Sequence, residues 1–126
     1  MDNQIKYWLD GSHEDISTAG ILIDKERYLH GLFFCHLSIE KILKAIFVKV
    51  HNDFPPKTHN LIYLCNLNGI DLTDDRKEFF AILMKYQISG RYPDAAGVIP
   101  QSSLVHQYLN STEEVLKWLV QKLNQL

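Results

Sequence analysis

The sequence predicts an all-α protein, an antiparallel up-and-down bundle of about five helices. Three observations support this prediction. Apolar residues recur at spacings of three and four along most of the chain. No segment alternates between apolar and polar residues as a half-buried strand does. The helical segments are joined by short connections, which favour antiparallel neighbours.

The composition fits one globular domain, and we expect residues 1–126 to form it. The length of 126 residues is sufficient for one hydrophobic core. A formal net charge of −2 gives no global positive field, so binding of RNA would need a local basic patch. The first residues resemble neither a signal nor a transit peptide, and no apolar run is long enough to cross a bilayer. We therefore expect a cytoplasmic protein that does not contact a membrane.

The first two helices are long. Helical spacing from Ile5 to Ile23 predicts the first, and the "DKER" stretch at 24–27 predicts the turn after it. The second is predicted from about Tyr28 to His51. It is apolar around most of its circumference, so it belongs in the middle of the bundle. One polar sector interrupts it, formed by His30, Glu40, Lys41, Lys44 and His51.

Two shorter helices follow the segment "NDFPPKTH", whose two prolines exclude a helix. Thr58 is the predicted N-cap of the third helix, which puts His59 in its first turn. Gly69 suits the left-handed position that ends this helix, and Ile70 suits the apolar contact after it. Thr73 is the predicted N-cap of the fourth helix.

A loop of about a dozen residues, "SGRYPDAAGVIP", separates the fourth helix from the last. Loops of this length are often functional. The last helix is predicted from an apolar stripe that runs from Leu104 to Leu126. Trp118 lies just outside the stripe, where it either covers the edge of the core or anchors a subunit contact.

The charged residues of the second helix have two interpretations. Glu40 and Lys44 are four residues apart, which is the spacing of an ordinary surface ion pair. The surrounding apolar sequence favours a second interpretation, in which Lys41 and Lys44 hold a phosphate and Glu40 orients a lysine. The sequence leaves both open.

His59 and the "GRYPD" stretch have two interpretations as well. A helix N-terminus would keep His59 neutral, so it is either a general base or a residue that supports the capping turn. Arg91 offers a planar fork for phosphate, and Tyr92 can stack on a base. Alternatively, Arg91 and Asp94 pair to hold the loop in place.

The sequence predicts no metal site and no cofactor. No set of histidines and acidic residues has the spacing of a zinc site, and no phosphate-binding glycine loop or nucleophile elbow is present. Cys35 and Cys65 have apolar neighbours in the sequence, which is typical of buried structural thiols.

Three segments together resemble the HEPN domain family. They are "YLHGLFFCHLSIEKILKAIF", "PPKTHNLIYL" and "GRYPD", in the order and at the separations typical of the family. The resemblance implies an all-α bundle that usually forms a homodimer. It also implies a minimal nucleotidyltransferase as partner, in a pair related to toxin–antitoxin systems.

Other HEPN proteins are metal-independent ribonucleases, in which a histidine follows an arginine by four to six residues. This sequence departs from that pattern. Its arginines are Arg27, Arg76 and Arg91, and none has a histidine at that spacing. We therefore expect a non-catalytic module that binds a nucleotide or the phosphate of a nucleic acid such as RNA.

The expected site residues are Glu40, Lys41, Lys44, His59, Arg91, Tyr92 and Asp94, with no catalytic residue among them. The first alternative is a ribonuclease toxin. The second is a purely structural dimeric interaction protein, whose polar residues only close the bundle.

Overall fold

A computed structural model describes residues 1–92 and 97–126. Every regular element in these two ranges is a helix, and the five helices pack as a bundle, which confirms the predicted fold class. They are α1 (Asp2–Asp24), α2 (Tyr28–His51), α3 (Leu61–Leu67), α4 (Asp74–Arg91) and α5 (Ser102–Asn124).

Helix α2 is the centre of the bundle, as its apolar circumference predicts. It contacts each of the other four helices. More than half of its residues are buried, including Leu32, Ile39, Ile42 and Leu43, which are fully inaccessible to solvent. A helix surrounded in this way positions any polar side chain it carries from a rigid support.

The four long helices alternate in direction along the chain, whereas the short α3 runs parallel to α2, since His36 contacts His59 before α3 and His51 contacts Leu67 at its end. Trp8 near the start of α1 contacts Lys44 near the end of α2, while Ile23 at the end of α1 lies against Gly31. Helix α4 is antiparallel to α5, since Arg76 stacks on Trp118 and Tyr86 contacts the ring of Tyr108. These pairs are those of an up-and-down bundle.

Two glycines allow close packing against α2. A Cβ atom at Gly31 would lie 2.5 Å from Cγ1 of Ile23, and one at Gly90 would lie 2.7 Å from Cβ of Phe33. Glycine is therefore required at the crossing of α1 with α2 and at the end of α4. The second contact places Arg91, the residue after Gly90, beside α2.

The third helix begins later than the sequence predicts. Its N-cap is Asn60, whose side chain accepts the backbone N–H of Tyr63 at 2.9 Å. Thr58 instead accepts the N–H of Asn60 in a local turn. The predicted cap at Thr58 is wrong, and His59 precedes the helix instead of lying in its first turn.

The predicted start of α4 and the predicted end of α3 agree with the structure. Thr73 caps α4 by accepting the N–H of Arg76. Gly69 has a φ of +69°, and the N–H of Ile70 donates to the carbonyl of Cys65, which is the pattern expected at the end of α3. The imidazole of His51 also lies 2.8 Å from the carbonyl of Leu67, and this contact ties the end of α2 to α3.

Helix α4 extends further into the predicted loop than expected, since it continues to Arg91. Tyr92 has the extended backbone expected of a residue before proline. The predicted site residue Asp94 lies outside the described residues.

Both cysteines are free and buried. Burial raises the pKa of the Cys35 thiol and of the Cys65 thiol to about 12, so both stay protonated and unreactive at neutral pH. None of the helices described is long and apolar enough to cross a membrane.

Candidate functional site

Glu40 lies at the centre of a buried polar cluster on α2. Its Oε2 atom accepts a hydrogen bond from Nζ of Lys44 at 3.1 Å, and its Oε1 atom accepts one from Nδ1 of His59 at 2.8 Å. The side chains of Glu40 and Lys44 are only 4% and 8% exposed. The pair is therefore a buried ion pair, and neither of its charges is open to solvent.

His59 is held over this carboxylate from the segment before α3. Its side chain is 46% exposed. Since a carboxylate only accepts hydrogen bonds, Nδ1 of His59 carries the proton, and Nε2 is the nitrogen on the far edge of the ring. The site thus presents an imidazole whose inner nitrogen is fixed by a buried glutamate.

His36 is part of the same cluster, and the sequence did not single it out. It is fully buried, and its Nε2 atom lies 2.9 Å from the backbone carbonyl of His59. Burial lowers the pKa of His36 to about 4, and the positive charge of Arg91 also contributes to this lowering. The signal that could have revealed it is its position four residues before Glu40, on the same face of α2.

Lys41 lies on a different side of α2 from Glu40. Its ammonium is 2.8 Å from Oδ2 of Asp15 on α1, and its side chain is 24% exposed. Its stem passes close to Gly11, where a Cβ atom would lie 2.9 Å from Cδ of Lys41. Burial raises the pKa of Asp15, although the neighbouring Lys41 acts in the opposite direction. The two lysines therefore have separate acidic partners.

Trp8 is a second contributor that the sequence did not single out. The ammonium of Lys44 lies 5.3 Å from the centre of its ring. Such a cation–π contact adds to the ion pair with Glu40 in holding Lys44. Lys44 is thus enclosed between α1 and α2.

Arg91 reaches the same stripe of α2 from the end of α4. Its guanidinium carbon lies 5.5 Å from the centre of the Phe33 ring. Phe33 and Glu40 are seven residues apart, so they share one face of α2. Among the residues described, no carboxylate lies within salt-bridge distance of Arg91. Tyr92 is 59% exposed beside it.

The arrangement separates charges that are neutralised from groups that face outward. Lys41 and Lys44 each have a carboxylate partner. In the described part of the chain, the guanidinium of Arg91 can contact an anion without first breaking an ion pair, whereas Nε2 of His59 can donate to an anion only when the ring carries a second proton. Chemically, the site can bind a phosphate or accept a proton at Nε2 of His59.

A large groove lies elsewhere on the bundle. A cavity of about 1080 Å³ opens between α1 and α5, with Ile16, Leu116 and Val120 among its lining residues. None of the predicted site residues lines it. The volume of a groove is therefore not the reason for choosing the cluster around Glu40 as the candidate site.

Comparison with known families identifies the chain. A family model described as the HEPN domain matches residues 5–123. The chain belongs to the HEPN family. HEPN domains are nucleotide-binding or ribonuclease-type modules that often dimerise, and the match confirms the resemblance carried by the three sequence segments.

The matched range of this HEPN chain includes Glu40, Lys41, Lys44, His59, Arg91 and Tyr92. Searches of curated proteins and of solved structures found no match. The family is therefore established by the domain match, and the roles of individual residues are argued from geometry.

Proposed function

We propose that this HEPN chain is a non-catalytic module that binds the phosphate of a nucleotide or of a nucleic acid. The carrying observation is the partly exposed imidazole of His59, which is fixed by buried Glu40 on α2. The exposed guanidinium of Arg91 contacts Phe33 on the same stripe of α2. Arg91 contacts the phosphate, and Tyr92 stacks on a base.

The remaining predicted residues have supporting roles in this proposal. Lys41 and Lys44 add positive potential close to the phosphate, although each is paired with a carboxylate. Glu40 orients both Lys44 and His59. Asp94 lies outside the described residues and remains a site residue on the sequence prediction alone. The site works through position and charge, and it needs no metal or cofactor.

The proposed biological context follows from the family. The chain acts as a cytoplasmic homodimer together with a minimal nucleotidyltransferase, in a pair of the toxin–antitoxin type. Identification of the neighbouring gene tests the partner class directly, because an adjacent nucleotidyltransferase is expected.

The binding role is tested by replacing the exposed guanidinium. Arg91→Ala is expected to weaken binding of adenosine monophosphate by about tenfold, the order of one lost charge-assisted hydrogen bond. Isothermal titration calorimetry measures the affinity. Arg91 is exposed, so the melting temperature is expected to stay unchanged.

Arg76→Ala is the matched control, because it removes the same side chain from the opposite end of α4, where Arg76 stacks on Trp118. It is expected to leave the affinity unchanged. Equal affinity of the wild type and Arg91→Ala would reject the proposed site. The purely structural alternative would then be favoured, because both lysines are already engaged in ion pairs.

One observation favours a second function, the ribonuclease toxin. A histidine whose Nδ1–H is held by a carboxylate is suited to general-base catalysis through Nε2. Growth arrest on expression that is rescued by His59→Ala, with RNA cleavage by the purified protein, would favour this function. Intact RNA after incubation with micromolar protein would reject it.

A further inference from the structure

His36 contacts His59 and Glu40 from the buried side of the cluster. One ring nitrogen, Nε2, lies 2.9 Å from the main-chain carbonyl of His59. The other, Nδ1, lies 3.8 Å from Oε1 of Glu40, the same oxygen that accepts the hydrogen bond from His59. His59, which precedes α3, is thus connected to α2 twice, through its backbone and through its side chain.

The chemistry of these partners fixes the tautomer of His36. A carbonyl oxygen only accepts hydrogen bonds, so Nε2 of His36 must be the donor. In the neutral ring, Nδ1 then carries a lone pair, and it has no hydrogen-bond partner in the described part of the chain. Since Nδ1 donates nothing to Glu40, the imidazole of His59 is the one histidine donor to Oε1.

Packing alone does not define the orientation of His59. Nearly half of its side chain is exposed, and it lies outside the helices, after a segment with two prolines. An exposed side chain in such a segment has several accessible rotamers. Two hydrogen bonds to residues one turn apart on a rigid helix remove that freedom, because the carbonyl and the ring are fixed together.

We propose that His36 is a positioning residue, which holds the main chain of His59 so that the ring of His59 meets Glu40 and its Nε2 atom, which donates to the phosphate when it carries a proton, faces the ligand. This proposal rests on the phosphate-binding function proposed above. It assigns to a fully buried residue, with no access to the ligand, a role in determining affinity.

Two substitutions of His36 distinguish the role of its Nε2–H donor from that of its ring. His36→Leu removes the donor and keeps an apolar side chain. His36→Gln keeps an N–H group at about the reach of Nε2. The first readout is the NMR signal of the His59 Nδ1–H proton, which we expect the hydrogen bond to Glu40 to protect from exchange. We expect this signal to be lost in His36→Leu and retained in His36→Gln.

Ile39→Ala is the control for loss of stability. Ile39 is fully buried on α2 three residues further along, and it makes no side-chain hydrogen bond. The variant is expected to lower the melting temperature and to keep the His59 signal. If Ile39→Ala also loses the signal, or if His36→Leu keeps it, the positioning role is rejected.

The second readout is the affinity for adenosine monophosphate. It is expected to fall about tenfold in His36→Leu and to be largely restored in His36→Gln. If the wild type binds no adenosine monophosphate, the proposed function fails, while the NMR signal still decides whether His36 positions the ring. If the wild type binds and His36→Leu binds equally well, the positioning proposal fails alone.

Discussion

Glu40 shows how the role of one residue depends on partners that are distant in sequence. The spacing of Glu40 and Lys44 predicts an ion pair, and the structure contains it. Its burial is not predictable from that spacing, because Trp8 and His59 enclose the pair from other segments. The same carboxylate that neutralises a lysine also orients a histidine.

Removal of the ammonium of Lys44 is expected to be costly. Lys44→Met keeps most of the side-chain volume and leaves the buried carboxylate of Glu40 without its cation. We expect the free energy of unfolding to fall by about 3 kcal/mol. Urea denaturation measures it. Lys6→Met is the control, because Lys6 forms an exposed ion pair with Asp10, which is also four residues away in the sequence. The free energy of unfolding of this variant is expected to change by less than about 0.5 kcal/mol. Equal losses would contradict the buried pair.

The buried His36 makes stability depend on pH. Its pKa falls from the ordinary value of 6.5 to about 4 in the folded chain, because burial disfavours the charged ring. Between these values the unfolded chain binds a proton that the folded chain does not bind, so stability falls as the pH is lowered through this range. The loss is on the order of 3 kcal/mol.

Urea denaturation of the wild type and His36→Gln at pH 7, 5.5 and about 4.5 measures this dependence. The variant has no titrating group at this position, so a shallower fall is expected. Parallel curves for the two proteins would show that His36 does not carry the effect.

At the scale of the helices, the long periodic segments were predictable and the short connections were not. Helices α1 and α2 agree with their predicted ranges because many apolar positions define each of them. The start of α3 was misplaced because Thr58 and Asn60 are both capable caps. His59 lies between these two candidate caps, and it is held there by its contacts with Glu40 and His36. These contacts cannot be inferred from the local sequence.

The close crossing of α1 and α2 requires a residue without a side chain at Gly31. Gly31→Ala is expected to lower the free energy of unfolding by about 2 kcal/mol, because the added methyl group would overlap Ile23. Gly20→Ala is the control within α1, where nothing lies within 4 Å of the added atom. That variant is expected to gain up to about 1 kcal/mol, since alanine is the better helix former. A gain in both variants, measured by urea denaturation, would contradict the close crossing.

At the scale of the whole molecule, the fold class followed from the sequence more readily than the site. Hydrophobic periodicity alone indicates a helical bundle. The convergence of residues 36, 40, 59 and 91 required the tertiary structure, since they come from α2, a connection and the end of α4. The sequence also suggested that Lys41 and Lys44 form one basic surface, whereas they pair with separate carboxylates.

The two faces of the bundle offer different surfaces to a ligand. The face formed by α2, the segment before α3 and the end of α4 carries His59 and Arg91. The groove between α1 and α5 has a volume of about 1080 Å³ and a mostly apolar lining. Charge and hydrogen-bonding capacity, and not volume, favour the first face for phosphate.

An NMR titration with adenosine monophosphate distinguishes these faces most directly. The proposed function predicts that the largest changes occur at the side-chain nitrogens of His59 and Arg91, with small changes at Leu116 and Val120 in the groove. Changes confined to the groove residues, or no saturable change at His59 and Arg91, would contradict a phosphate site built on Glu40 and His59.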